Sequence, residues 1–247
     1  MTTTGSGSRF LPGTYTQKRH DAEQRAHQYV VEWEQRETQK RRTSQEPSIL
    51  QPTICFSRKI GVGALEIADI LAQKTGQRVA DRLILDKIAT DAELGQKTVS
   101  FFDERHPGKM SELGALLFGE KAFIMSDYLR KLFSAVMTLA DTESTIFVGR
   151  GTHLILPRDR VLAVRLISSR AYRIRRVSDI LGVSEDDARK ELDAADKEQR
   201  RFFQKAFGKK DAPPSEFDLI INCDFLHQPE WAVDVIHQAF LNKFHQG

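Results

Sequence analysis

The chain has 247 residues, 40% of them hydrophobic and 29% charged, with 37 Lys+Arg against 34 Asp+Glu and a formal net charge of +3. These proportions exclude a wholly disordered, collagen-like or membrane-spanning chain, and so small a cationic excess makes no demand for nucleic acid or an anionic membrane as partner. The length suits one domain plus an appendage, and two distant cysteines, Cys55 and Cys223, cannot build a multi-cysteine zinc site or a disulfide framework.

Met1–Gly13 is Thr/Gly/Ser-rich without an apolar core. It reads as a tail rather than a secretory signal, so the cytoplasm is the expected compartment. Gln17–Arg42 is dense in Gln, Glu, Arg and Lys, with Ala22, Ala26, Tyr29, Val30 and Trp33 at helical spacing. One thin apolar stripe describes a solvated helix that docks weakly, or one that binds a protein partner or a second copy of the chain. Residues 1–48 are accordingly expected to form a tail and charged helix, and residues 49–247 the domain.

From Ser48 onward, short apolar runs alternate with helical stretches. Pro52–Ser57 is a β-rich run that enters the glycine turn Gly61–Gly63, and Leu65, Ile67, Ile70 and Leu71 carry a helix that stops at Gly76. Arg78–Ala80 is a second short strand, followed by Asp81 and a helix through Leu83, Ile84 and Ile88. Met110–Ala140 is mostly helical, with a break expected near Gly119. Strands are expected at Thr145–Val148, Val161–Ile167 and Asp218–Asn222. Ser184 followed by Asp187 fits a capping box opening a helix through Ala188, Leu192 and Ala195, and Pro229–Phe244 closes the chain as an amphipathic helix. Apolar runs interleaved with helices predict a mainly parallel sheet covered on both faces.

A strand, then Gly61-Val62-Gly63, then a helix, is an arrangement that presents backbone N–H groups to phosphate, or a turn that needs glycine for shape alone. Set against the Walker A pattern G-x-x-x-x-G-K-[ST], ending at Gly63, the chain has Arg58 at the first glycine, Ala64 at the lysine and Leu65 at the hydroxyl residue. Arg58 and Lys59 are the cations available from the other side of the loop. The seven histidines show no metal spacing, so His153 and His237 read as surface or packing residues, and no side-chain metal site is expected. Cys55 reads as a small buried apolar residue.

Six segments in one order resemble the cytidylate kinase-like family. They are ICFSRKIGVGALEIADILAQKTG from Ile54, Asp81-Arg82-x-Leu-Ile, Phe147-Val148-Gly149-Arg150-Gly151, Val164-Arg165-Leu166 with Tyr172-Arg173-Ile174-x-Arg176-Val177, Asp196-Lys197…Phe202…Phe207-Gly208, and Phe217-Asp218-Leu219-Ile220-Ile221-Asn222. The resemblance implies an α/β P-loop nucleoside monophosphate kinase fold, with a five-stranded parallel sheet, helices on both faces and a helical lid. It further implies phosphoryl transfer from ATP, with Mg²⁺, to a small acceptor such as CMP or dCMP. Carried onto this chain, Ser57, Arg58, Gly61, Gly63 and Ala64 would bind ATP, and Lys59, Arg150 and Arg173 would supply catalytic charge. Asp81, Arg170, Asp196 and Arg200 would bind the acceptor or close over the phosphates. For Asp81 the other reading is an N-cap of the helix that follows. For Arg170, Arg173 and Arg176, three residues apart, it is a solvated basic face paired with Asp186, Asp187 or Glu191. Phe202, Phe203 and Phe207 read as packing residues.

This chain departs from the family pattern at Ala64 and Leu65, at Gly151, where relatives carry an acidic residue, and at Gln199, the fourth position of a D-K-x-R lid motif. These departures leave a second reading beside the kinase: a catalytically degenerate nucleotide-binding protein with a regulatory or scaffolding role.

Overall fold

The structure is a computed structural model that describes residues 21–42, 50–105, 108, 110–111 and 126–244. In chain order its main elements are α1 (Ala22–Arg42), β1 (Thr53–Arg58), α2 (Ala64–Thr75), β2 (Arg78–Asp81), α3 (Arg82–Thr90), α4 (Ala92–Arg105), α5 (Asp127–Thr142), β3 (Thr145–Val148), α6 (Thr152–Ile155), β4 (Val161–Ile167), α7 (Arg170–Leu181), α8 (Glu185–Phe207), β5 (Leu219–Asn222) and α9 (Pro229–Phe244). The expected N-terminal tail and the break near Gly119 lie outside the described residues.

The strands form one five-stranded sheet in the order β2-β3-β1-β4-β5, and every adjacent pair is parallel. Parallel neighbours need crossover helices, which bury both faces, so the strands are apolar on both sides rather than alternating with polar residues. Along β1, Ile54 and Phe56 face one helical layer while Cys55 faces the other. β3 repeats the pattern, with Ile146 and Val148 on one side and Phe147 opposite. The first layer is built on α2 and α9, the second on α1, α3, α4 and α5. A third, smaller cluster joins α7 to α8: Ile174 and Val177 meet Ala188, Leu192 and Ala195, and Ile60 from the turn after β1 plugs into it. No helix among the described residues is long and apolar enough to cross a membrane.

Local signals account for most element ends. Asp81, Ser126, Ser169 and Ser184 each accept a hydrogen bond from a first-turn backbone N–H, and Gly76, Gly182 and Gly208 close helices in the left-handed conformation. Asp81 is therefore an N-cap, accepting from Ile84 N at 3.0 Å. The helix opened by Ser184 continues well past Ala195, to Phe207.

The expectation for α1 needs correction. Ala26, Tyr29, Val30 and Trp33 are buried at 0–7% exposure in the same core as α3 and α5, Trp33 packs edge-on to Phe101, and Tyr29 Oη donates to Val79 O. The stripe that could have served a partner is covered by this chain's own helices, because four apolar side chains on one face, Tyr29 and Trp33 the largest, bury more favourably on the domain than in water. Arg36 and Glu32 add ion pairs to Glu143 and Arg78.

Candidate functional site

The carboxyl ends of the strands, where open α/β sheets bind ligands, gather several of the candidate residues. β1 ends at Arg58 and the chain turns through Lys59–Gly63 into α2. Gly63 is the N-cap of α2 at φ 85°, a conformation that glycine adopts without a Cβ penalty, and it offers no side-chain cap. The first-turn N–H groups of α2 are thus left for an anion, with the positive end of the helix dipole behind them. Ala64 and Leu65, 3% and 5% exposed, fill the places of the Walker lysine and hydroxyl with apolar side chains.

α7 and α8 bring cations and carboxylates over this turn. Arg173, 8% exposed, donates from Nη1 to Ile60 O at 3.3 Å and to Asp196 Oδ2 at 2.9 Å. One arginine so ties α7, α8 and the turn together. The Arg176 guanidinium lies against Gly63, its Cζ 3.1 Å from the position a Cβ would take, and pairs with Glu66. The family reading placed cationic charge at residue 64; the structure brings a guanidinium to its neighbour from α7. Gln199 donates from Nε2 to Arg58 O at 3.0 Å, so α8 crosses the mouth of the turn.

Two adjoining cavities share Gln199 and Phe203. The first is lined by Lys59, Arg165, Asp196, Arg200, Lys210 and Asp211. Here Lys59 Nζ lies 3.6 Å from Asp211, and Arg165 donates to Ser57 Oγ at 2.9 Å and to Asp211 at 2.8 Å. The second is lined by Ser57, Arg58, Arg82, Arg150, Glu198 and Phe202, among others. Arg150 sits in the left-handed region at φ 53°, just past β3, and donates from Nε to Asp86 Oδ1 at 2.6 Å while its guanidinium stacks 4.2 Å from the Phe202 ring. Hydrogen bonding to Asp86 holds the Arg150 pKa above its ordinary value against its burial. Burial, with Arg82 and Arg150 nearby, pushes the Arg58 pKa down to about 10, so this arginine still carries its charge at neutral pH.

The residues read as site residues therefore divide. Ser57, Arg58 and Arg150 share the second cavity, and Lys59, Asp196 and Arg200 the first, with the turn Gly61–Ala64 beside them. Arg170 lies apart: half exposed, it pairs with Asp193 at 2.7 Å and lines neither cavity. The arginine face of α7 pairs with Asp193, Asp196 and Glu66, not with Asp186, Asp187 or Glu191, because the middle turns of α8 and the first turn of α2 lie opposite it. Arg82 and Arg165 belong to the motifs that carry the family resemblance but are not among the expected site residues, and Asp86 lies outside those motifs. Asp86 stands four residues after Arg82, the one signal that an ion pair was at hand.

Residues 53–224 match the model of the cytidylate kinase-like family. The chain belongs to that family. Among solved structures, it resembles an uncharacterized protein from Eubacterium ventriosum ATCC 27560, at 22% identity and a TM-score of 0.60 over 77% of this chain and 98% of that one. Looser likenesses include a shikimate kinase from Bacteroides thetaiotaomicron, at 15% identity and TM-score 0.38 over 77% and 96% of the two chains. A dephospho-CoA kinase from Campylobacter jejuni follows at 14% identity and TM-score 0.32 over 76% and 98%. No curated protein matches the chain. In this cytidylate kinase-like chain the five-stranded parallel sheet, the glycine turn after β1 and the α7–α8 hairpin over it form a P-loop kinase fold.

Proposed function

We propose that the protein transfers a phosphoryl group from ATP to a small acceptor, with a nucleoside monophosphate such as CMP or dCMP the first acceptor to test. The reading rests on the uncapped N-terminus of α2 at Gly63 lying directly under Arg173 and Arg176. Phosphoryl transfer demands positioning and cations around a loose transition state more than covalent chemistry. The α2 N–H groups fit a nucleotide's phosphate; ATP, when bound, supplies the transferred group. Arg173 would hold charge beside the turn, and α8 with Asp196 and Arg200 would exclude water. Mg²⁺ fits less well: Leu65 has no hydroxyl, and no cluster of metal-binding side chains stands among the described residues, so no step is assigned to it. The reading places the enzyme in the cytoplasm, where ATP is supplied.

A second reading has its own observation. Ala64 and Leu65 are buried in the apolar layer around α2, where the lysine and hydroxyl of an ordinary loop would stand. A nucleotide-binding protein without turnover would keep the cradle and lose those groups.

A coupled ADP-release assay over a panel of nucleoside monophosphates, with and without Mg²⁺, decides between them. Turnover on any acceptor supports the kinase. No turnover together with an ATP-dependent thermal shift supports the binder, and no shift with any nucleotide overturns both.

A further inference from the structure

Between α8 and β5 the chain runs past the first cavity. Gly208 closes α8 in the left-handed conformation, and none of residues 209–212 makes a backbone–backbone hydrogen bond among the described residues. Side chains hold this segment instead: Lys209 pairs with Glu216, Ala212 is buried, and Asp211 lines the cavity. A stretch without a backbone ladder opens at low cost.

Asp211 meets two of the cavity's cations. Its Oδ1 accepts from Arg165 Nη2 at 2.8 Å, and its Oδ2 lies 3.6 Å from Lys59 Nζ. The two sides of this contact are unequal. Arg165 belongs to β4, donates from Nη1 to Ser57 Oγ at 2.9 Å and lies 5.4 Å from the centre of the Phe217 ring, so only 9% of its side chain is exposed. The Asp211 side chain is 68% exposed. A cation fixed in the sheet is thus answered by a carboxylate on a loop open to water. Lys59, Arg165, Arg200 and Lys210 line the cavity with two carboxylates, and the other one, Asp196, is taken by Arg173. Although burial opposes it, the Ala212 N–H and the Lys59 and Arg165 cations hold the Asp211 carboxyl below its ordinary 3.8, so it is charged at neutral pH.

We propose that Asp211 is an autoinhibitory anion built into the chain: its carboxylate holds the position between Lys59 and Arg165 that a phosphate group of the nucleotide takes, and nucleotide binding displaces it and opens segment 209–212. The proposal rests on the nucleotide-binding reading, which the kinase and the binder without turnover share. A carboxylate and a phosphate oxygen accept from the same guanidinium and ammonium donors, so the two anions exclude one another here. Tethering keeps the carboxylate at a high effective concentration. Apparent affinity for the ligand is then reduced to the fraction of molecules in which the cavity stands free.

The test uses the full chain, with ATP and inorganic tripolyphosphate as probes, read by calorimetry and thermal shift without acceptor. Asp211→Asn keeps the shape and removes the charge. It should bind both probes about tenfold more tightly, the gain expected where about nine molecules in ten are closed. Asp234→Asn removes one charge from an equally exposed ion pair, with Lys74, outside both cavities, and should change affinity by less than about twofold. Without ligand, Asp211→Asn should melt below wild type, because Arg165 loses its carboxylate, and saturating ATP should narrow that gap. In the wild type, saturating ATP should speed trypsin cleavage after Lys209 or Lys210, located by mass spectrometry, a readout that needs no variant to fold. Equal or weaker binding by Asp211→Asn, an equal gain in Asp234→Asn, or slower cleavage with ATP overturns the proposal, and wild-type binding of ATP in those cases leaves the nucleotide reading standing. Tripolyphosphate binding that tightens in Asp211→Asn, with no ATP bound by either protein, overturns the nucleotide reading and leaves the internal anion standing.

Discussion

Gly151 and Phe207 occupy each other's space: a Cβ on Gly151, whose φ is 68°, would lie 2.7 Å from Cζ of the Phe207 ring and nearer still to Cε2. Phe207 closes α8 and stacks on Phe133 of α5 with ring centroids 6.1 Å apart and planes 12° from parallel. The last turn of α8 is thereby fixed to the α5 layer, over a position that only glycine can fill.

Gly151→Asp, which restores the acidic residue of the family pattern, should therefore destabilise the protein by about 2–5 kcal/mol, from overpacking together with a strained backbone. Urea denaturation measures it. Adding Phe207→Ala opens the space, so the double variant should be more stable than the sum of the two single losses. Strict additivity, or a Gly151→Asp protein as stable as its parent, refutes the steric relationship.

Lys59, beside the glycine turn, and Arg173, on a helix face, carry the same expected role of catalytic charge in the sequence, and the structure separates them. Arg173 is 8% exposed and binds Ile60 O and Asp196, whereas the Lys59 side chain is 40% exposed with its carboxylate partner 3.6 Å away. If the chain is a kinase, Arg173→Ala should lower kcat by about 10²–10³, the loss typical of one preorganised charge-stabilising group. Lys59→Ala should cost less than about tenfold, since an exposed pair is screened by water. Steady-state kinetics on the best acceptor checks the order, and a larger loss at Lys59 would reverse the assignment.

What the sequence revealed follows from how local each signal is. The bounds of β4 at Val161–Ile167 and of α9 at Pro229–Phe244 are readable to the residue, because each apolar pattern is bordered by polar residues or proline. The parallel sheet follows from the alternation of such runs with helices, and family membership from six ordered motifs. The joint hold of Arg82 and Arg150 on Asp86 was not legible, since Arg150 meets Asp86 across 64 residues of chain. Nor was the docking of α1: Ala26, Tyr29, Val30 and Trp33 specify an apolar face, and nothing in that stripe says whose surface covers it. The Gly151–Phe207 fit is likewise a property of packing, invisible until both residues are placed.

The burial of α1 makes its own prediction. Trp33, 5% exposed, meets Phe101 at a ring separation of 4.4 Å. Trp33→Ala should cost about 3–5 kcal/mol, the range for emptying a large buried aromatic site. A surface helix awaiting a partner would lose less than about 0.5 kcal/mol on the same change. Chemical denaturation of the isolated protein distinguishes the two, and a negligible loss would return α1 to the periphery.

His153 gives the fold a pH dependence whose sign can be worked out. It is 3% exposed, its ring lies 4.9 Å from that of Phe217, and Nε2 is 3.4 Å from Glu216 Oε2. Burial pushes its pKa down to about 4 from an ordinary 6.5, with Arg158 and Arg165 adding to the effect and Glu216 opposing it. Between those values the unfolded chain binds a proton that the folded one refuses. The neutral imidazole's contribution is therefore complete above pH 6.5 and is lost as pH falls toward 4. Its slope approaches about 1.4 kcal/mol per pH unit. His153→Phe keeps a ring against Phe217 and removes the titration, so the stability difference between wild type and variant should be flat above pH 6.5 and shift against wild type below it. The carboxylates of Asp211 and Asp218, held below an ordinary 3.8 by hydrogen bonds and neighbouring cations, lose their contribution only at lower pH and do so in both proteins. Parallel stability profiles from pH 7 to pH 4 would show that His153 is protonated in the folded state and that its burial does not set the acid limit of this fold.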